Sequence, residues 1–198
     1  QLVVKVASLM PQRMQVYFID NEDFFGRKGV FTDEKGTYYE DNVERAVFFI
    51  RGVFETVKKL RWVPDVIHCH GWFTGLAPLY LRTLLKDDPA LSRAKIVYSA
   101  YDTAPEYPFD EQLTEVLAYD QIKHPLLDGQ ALNREALVEL ILQYVDGIIY
   151  SKTNSSEELI AAIEGSGKSV LDFQSDDQLI ESVADFYNSI IGEEEEEE

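Results

Sequence analysis

The chain has one cysteine, Cys69, among 198 residues. That excludes an intrachain disulfide and any zinc site built from cysteine pairs. It also suits a reducing compartment, so a cytoplasmic location is expected. Equally missing is any run near the roughly 20 apolar residues needed to cross a bilayer, and the opening Gln1-Leu2-Val3-Val4-Lys5 lacks a signal-peptide arrangement. Positive charge is scarce: 18 Lys and Arg stand against 36 Asp and Glu, for a net charge of −18. The run Glu193 to Glu198 carries six of those charges and leaves −12 for the remainder. Such a surface repels phosphate backbones and anionic membranes, which argues against nucleic-acid and membrane partners. There is no initiator methionine, and a first segment that reads as a strand suggests a start inside a domain.

What is present is 45% hydrophobic and 12% aromatic, enough for one substantial core. A single globular domain over 1–192 is the first expectation, with two small domains as the alternative and 193–198 as a solvated, disordered acidic tail. Leu2 to Leu9 and Met14 to Ile19 are rich in Val, Ile, Tyr and Phe and flank Pro11-Gln12-Arg13, which reads as a hairpin. Asp20 to Tyr39 is polar and aromatic with several glycines and reads as a long ordered loop. From Asp41 a wide apolar stripe at helical spacing runs through Val43, Ala46, Val47, Phe49, Ile50, Val53, Phe54, Val57 and Leu60.

The chain then alternates. Asp65 to Cys69 reads as a strand, Thr74 to Lys86 as a helix and Ala94 to Ala100 as a strand, the β-α-β order of a parallel α/β sheet. Asn133 is placed to cap a helix to about Val145, Gly147 to Ser151 reads as a strand, and Ser155 or Ser156 opens a helix through Ile163. Ser169 to Phe173 and Asp176 to Ile191 add a last strand and helix. The intervening Tyr101 to Gly129, rich in Pro, Asp and Tyr, follows the carboxyl end of a strand, where open α/β sheets bind ligands, and is expected to form a lid or crevice wall.

The densest chemistry is His68-Cys69-His70-Gly71-Trp72-Phe73-Thr74-Gly75, where a strand ends and a helix begins. Backbone N–H groups at such a junction suit anions or sugar hydroxyls. His68 and His70 share a strand face, but two imidazoles without nearby carboxylates or thiolates make a poor metal site, so no metal is expected. One of them reads best as a hydrogen-bonded core residue, with a substrate contact as the alternative. Gly165-Ser166-Gly167-Lys168-Ser169 imitates a phosphate loop, yet Ala162 stands where the first glycine belongs and a helix precedes it, so it reads as a helix stop and turn. Asp87-Asp88 reads as the solvated end of a helix or a turn before Pro89, without ligand spacing for a metal. Tyr38, Tyr39, Tyr98, Tyr101 and Tyr107 suit either sugar stacking or ordinary packing.

Tyr17 to Asn21, Asp41 to Ala46 and Pro64 to Tyr80 occur in the order and spacing of landmarks in bacterial glycogen synthases and plant starch synthases, and the chain resembles the N-terminal domain of that family from about Met14 to Ser151. The resemblance implies one Rossmann-like half of a GT-B glycosyltransferase, incomplete at its N-terminus. It further implies retaining transfer of glucose from the nucleotide sugar ADP-glucose to an α-1,4-glucan in glycogen biosynthesis, with no cofactor. It puts substrate-binding candidates at His68, His70, Trp72, Phe73, Thr74, Tyr101 and Asp102. The family pattern has Asp-Trp-His where this chain has Gly71-Trp72-Phe73, and His-Asn where it has Tyr101-Asp102, so no residue is assigned as catalytic. The family's Lys-x-Gly-Gly-Leu phosphate loop would precede Gln1, and its second domain is not in these residues. Three readings follow: a catalytic piece completed by a separate second-domain protein, a non-catalytic glucan- or partner-binding relative (a pseudoenzyme), or a structural remnant.

Overall fold

The computed structural model describes residues 2–11, 13–128, 131–173 and 179–192. Its contacts gather into two compact units, Gln1–Trp62 and Val63–Glu198.

The first unit opens with the expected hairpin, β1 (Val3–Leu9) antiparallel to β2 (Met14–Asp20), with Val3 opposite Asp20 and Leu9 opposite Met14. Ile19 is the buried member of the hairpin, and it meets α2 (Asn42–Leu60) at Gly52, where an added Cβ would lie 2.9 Å from the Ile19 side chain. In α2 the buried Val43, Ala46, Val47, Ile50 and Phe54 recur every three or four residues, which aligns them on one face. The segment expected as a loop contains one short helix, α1 (Glu22–Phe25), whose first turn is capped by Asn21 accepting from Phe24 N at 3.0 Å. The rest is held by the start of α2. The buried Arg45 donates to Phe24 O (2.9 Å) and Val30 O (2.7 Å), while Asn42 donates to Phe31 O (3.0 Å). A guanidinium with several fixed donors satisfies carbonyls that no strand ladder would reach.

In the second unit four parallel strands stand in sequence order: β3 (Val66–His70), β4 (Lys95–Ser99), β5 (Gly147–Tyr150) and β6 (Ser169–Asp172). The register sets Cys69 beside Tyr98, His70 beside Ser99, and Ser99 beside Ile149. The connections carry α3 (Ala77–Arg82), α4 (Leu113–Tyr119), α5 (Arg134–Tyr144) and α6 (Glu157–Glu164). Right-handed crossovers in a monotonic strand order put the connecting helices on one face of the sheet, and α5 packs against both α3 and α6. The other face carries α7 (Leu179–Gly192), whose Phe186 and Ile190 pack on Val97 and Ile149. Gly147 is small because α7 lies over it: an added Cβ would come within 2.4 Å of the Ile190 side chain. Asp146 secures the start of β4, its Oδ2 accepting from Ile96 N (2.6 Å) and from Arg82 (2.8 Å).

Two expected elements differ in extent. The helix read over 74–86 is a 3-10 turn at Trp72–Thr74 followed by α3 alone. Pro78 starts α3 well, and Thr83 ends it, its hydroxyl donating to Leu79 O at 2.6 Å with its backbone outside helical geometry. Tyr101 to Gly129 is not a lid throughout, because Phe109, Leu113, Leu117, Ile122 and Leu127 are buried and Phe109 bridges to Leu132. Asn133 and Ser156 cap α5 and α6 as read, accepting from Ala136 N and Leu159 N. The phosphate-loop imitation is a helix stop, with Gly167 at φ 71. The helix read from Asp176 is described from Leu179; its first residues and the acidic run 193–198 lie outside the described residues.

Candidate functional site

Parallel strands that end at one level leave their last side chains and following turns around a common crevice. In the second unit the ends of β3, β4 and β5, with α7 alongside, enclose a cleft of about 640 Å3. Strand alternation sends His68 and His70 to the α7 side together with Ser99. His68 is held at both ring nitrogens, Nδ1 to the Tyr187 hydroxyl at 2.5 Å and Nε2 to Ser99 Oγ at 2.8 Å. Its ring lies 3.9 Å from that of His70. His70 Nδ1 meets the Tyr101 hydroxyl at 3.0 Å, and its Nε2 has no side-chain partner among the described residues.

Both imidazoles are held neutral at pH 7. Burial drives His68 down to about 4, and the neighbouring charge of a protonated His70 would push it the same way. Burial also lowers His70. They act here as hydrogen-bonding groups and not as cations. Cys69, on the opposite face, is buried and pushed up to about 12, which leaves it an inert thiol. Among the described residues no group of three His, Cys, Asp or Glu is placed to hold a metal ion.

The turn after β3 is built on glycine. Gly71 has φ 67 and ψ 175, a region nearly closed to other residues, and a Cβ there would sit 3.4 Å from the Tyr101 ring. Its N–H donates to Ser99 O at 3.1 Å, and Thr74 Oγ1 closes the turn by donating to His70 O at 2.9 Å. Trp72 is buried, edge-on to Phe73 and Phe109.

The predicted site residues therefore separate. His68, His70, Tyr101 and Asp102 line the cleft with Thr103, Tyr150, Ser151, Asn154 and Ser155. Trp72, Phe73 and Thr74 do not. Trp72 instead lines a second cavity, of about 380 Å3, between α5 and α6. Ala100, Tyr101 and Asp102 form a wall common to both. Asp102 also ties the wall down, Oδ1 accepting from Arg134 at 3.2 Å and Oδ2 from Ser156 N at 3.0 Å. Sequence reasoning missed Ser99, Tyr187, Arg134 and Ser156 as partners of the site. Ser99 was legible in principle, since it falls two residues after Val97 on the face that His68 shares. Tyr187 stands 119 residues from His68, and only its place one turn beyond Val183 on the apolar stripe of α7 hinted at an inward direction.

Comparison with known proteins agrees with this architecture. Residues 2–167 match the family of starch synthase catalytic domains. A glycogen synthase of Chlorobium limicola is 42% identical over 102 residues, which is 51% of this chain and 21% of that protein. One of Chlorobaculum parvum is 31% identical over 170 residues, 83% of this chain and 34% of that protein. The chain thus spans about a fifth to a third of the length of these relatives. The solved catalytic domain of starch synthase IV from Arabidopsis thaliana, bound to ADP and acarbose, shares the fold with a TM-score of 0.61 at 16% identity, over 88% of this chain and 37% of that one. No described helix is long and apolar enough to cross a membrane. With matching landmarks, a parallel α/β sheet and a crevice at its strand ends, the chain belongs to the glycogen and starch synthase family, as its N-terminal catalytic domain.

Proposed function

We propose that the cleft over β3, β4 and β5 is the glucan-binding wall of a glucan synthase cleft, and that this chain by itself binds an α-1,4-glucan without transferring glucose from ADP-glucose. One observation carries the reading. Among the described residues the cleft is lined by hydroxyls, neutral imidazoles and apolar faces, with no lysine or arginine and with Asp102 as its charged member. A diphosphate requires cations or clustered free N–H groups. A neutral sugar requires hydroxyl partners and flat apolar surface. Ser151, Asn154 and the free Nε2 of His70 supply the first, and Tyr101, Ile149 and Phe173 the second.

The loss of turnover rests on three positions. Where the family pattern has Asp, His and His, this chain has Gly71, Phe73 and Tyr101, of which Tyr101 lines the cleft while Gly71 and Phe73 stand in the turn after β3. The Tyr101 hydroxyl is engaged by His70, and Gly71 sits in backbone geometry that an aspartate would strain. The ordinary family reaction, glucosyl transfer with a second domain supplied by another polypeptide, is the competing reading, because the relatives are glycogen synthases. Paired assays separate the two. Calorimetric titration with maltoheptaose should give saturable heat, and radiolabelled ADP-glucose should leave no label on glucan. Label transfer by the purified chain would overturn the proposal, as would silence with millimolar maltoheptaose.

A further inference from the structure

The cavity of about 380 Å3 between α5 and α6 lies on the face of the sheet away from α7, and its chemistry differs from that of the cleft. Its size is at the lower end of small-molecule sites. Trp72, Tyr98, Leu137, Val138, Leu142 and Leu159 supply flat and branched apolar surface to its interior. Its border carries three exposed carboxylates, Glu135 and Glu139 on α5 and Glu158 on α6. None of the three has an ion-pair or hydrogen-bond partner among the described residues. Among the described residues the one cation in the lining, Arg134, is already bonded to Asp102.

The helix dipoles account for part of this arrangement. Glu135 and Glu158 sit in first turns, where negative charge is favoured. Glu139 is one turn further along α5, beyond that influence, and its i,i+4 spacing from Glu135 is a like-charge pair that weakens a helix. An apolar chamber rimmed by uncompensated carboxylates attracts a cation and repels nucleotides and sugar phosphates. We propose that this cavity is a second binding site, for a small organic amine carried on an aromatic or aliphatic body, with the body against Trp72 and the ammonium among Glu135, Glu139 and Glu158. This goes beyond the glucan reading and does not depend on it.

Trp72 provides the readout. The chain has two tryptophans, and Trp62 is 57% exposed, so Trp62→Phe leaves Trp72 as the sole tryptophan, read by excitation that tyrosine does not absorb. That variant is titrated with three probes sharing one body: 4-phenylbutylamine, 4-phenylbutan-1-ol and 4-phenylbutyrate. The amine should shift Trp72 emission and bind about tenfold more tightly than the alcohol, three exposed pairs each adding a small factor. The butyrate should bind most weakly. In Glu135→Gln/Glu139→Gln/Glu158→Gln, checked for folding by thermal melt, the amine and alcohol should bind within about twofold of one another. Glu139→Gln alone should narrow the gap in the same direction, and it serves if the triple variant does not fold. No Trp72 response to millimolar amine, equal affinity for amine and alcohol, or an amine preference that survives the substitutions would each overturn the proposal. The last outcome would trace the preference to the overall negative charge of the chain.

Discussion

Two cavities share one wall at Ala100, Tyr101 and Asp102, yet they offer different chemistry. The cleft on the α7 side presents imidazoles, hydroxyls and no lysine or arginine among the described residues. The cavity on the other side is apolar within and acidic at its border. The difference follows from the two-residue period of a strand: His68, His70 and Ser99 fall on one face, Cys69 and Tyr98 on the other. A one-residue slip in β3 or β4 would exchange these sets. The wall itself is stiffened by polar ties, and the floor of the cleft by apolar packing from α7, so the two cavities should respond differently when each support is removed.

The largest effect is expected at the floor. Ile190 is 1% exposed beneath the sheet, and Ile190→Ala should cost about 3 kcal/mol by loss of burial and creation of a void. Urea denaturation reads the stability, and maltoheptaose affinity should fall with it because α7 lines the cleft, while the amine site is less affected. Equal loss at both sites would show that the two sides of the sheet do not behave separately. Asp102→Ala attacks the wall. It removes the Arg134 ion pair and the bond to Ser156 N at the start of α6, and about 1–2 kcal/mol should be lost, with the ion-pair share discounted for the exposure of Arg134. Because the wall is common, both maltoheptaose and the amine should bind more weakly. An effect on one alone would break the idea of a shared support.

The pH response belongs to the cleft side. The folded chain disfavours protonated His68, so the unfolded chain takes the proton first. The stability linked to neutral His68 is fully present above its ordinary value of 6.5 and is lost as pH falls from there toward about 4. After discounting for solvent screening at a partly exposed ring, the change is on the order of 1–2 kcal/mol. Denaturation midpoints across that window should decline in the parent chain and decline less in His68→Gln. Tyr101→Phe is the mildest probe. It removes the hydroxyl bonded to His70 but keeps the ring, so maltoheptaose affinity should change by roughly threefold, with stability altered by less than about 1 kcal/mol.

Much of this fold was legible in the sequence because its signals are local. The apolar stripe of α2, the caps at Asn133 and Ser156 and the β-branched strand cores each declare themselves within a few residues. The Trp72 to Arg82 stretch was less legible, since the end of α3 depends on where the Thr83 hydroxyl turns. In the segment after Tyr101, composition spoke for a lid, while Phe109, Leu113 and Leu117 found places in the core. The site divides in the same way. His68, His70, Tyr101 and Asp102 could be named from the strand ends, but the sequence could not reveal that Trp72 faces the other cavity. Nor could it show that Tyr187 and Ser99 immobilise His68, because those contacts span 119 and 31 residues.

The central claim, that the cleft receives a neutral glucan at His70, is tested most directly by imidazole nitrogen NMR at pH 7. The chain has three histidines, and His124, bonded to Gln143 on α5, is an internal reference that does not line the cleft. Saturating maltoheptaose should move the His70 Nε2 resonance while leaving His124 in place, and ADP-glucose should move neither. A His70 signal that ignores maltoheptaose, or one that responds as strongly to ADP-glucose, would contradict the account.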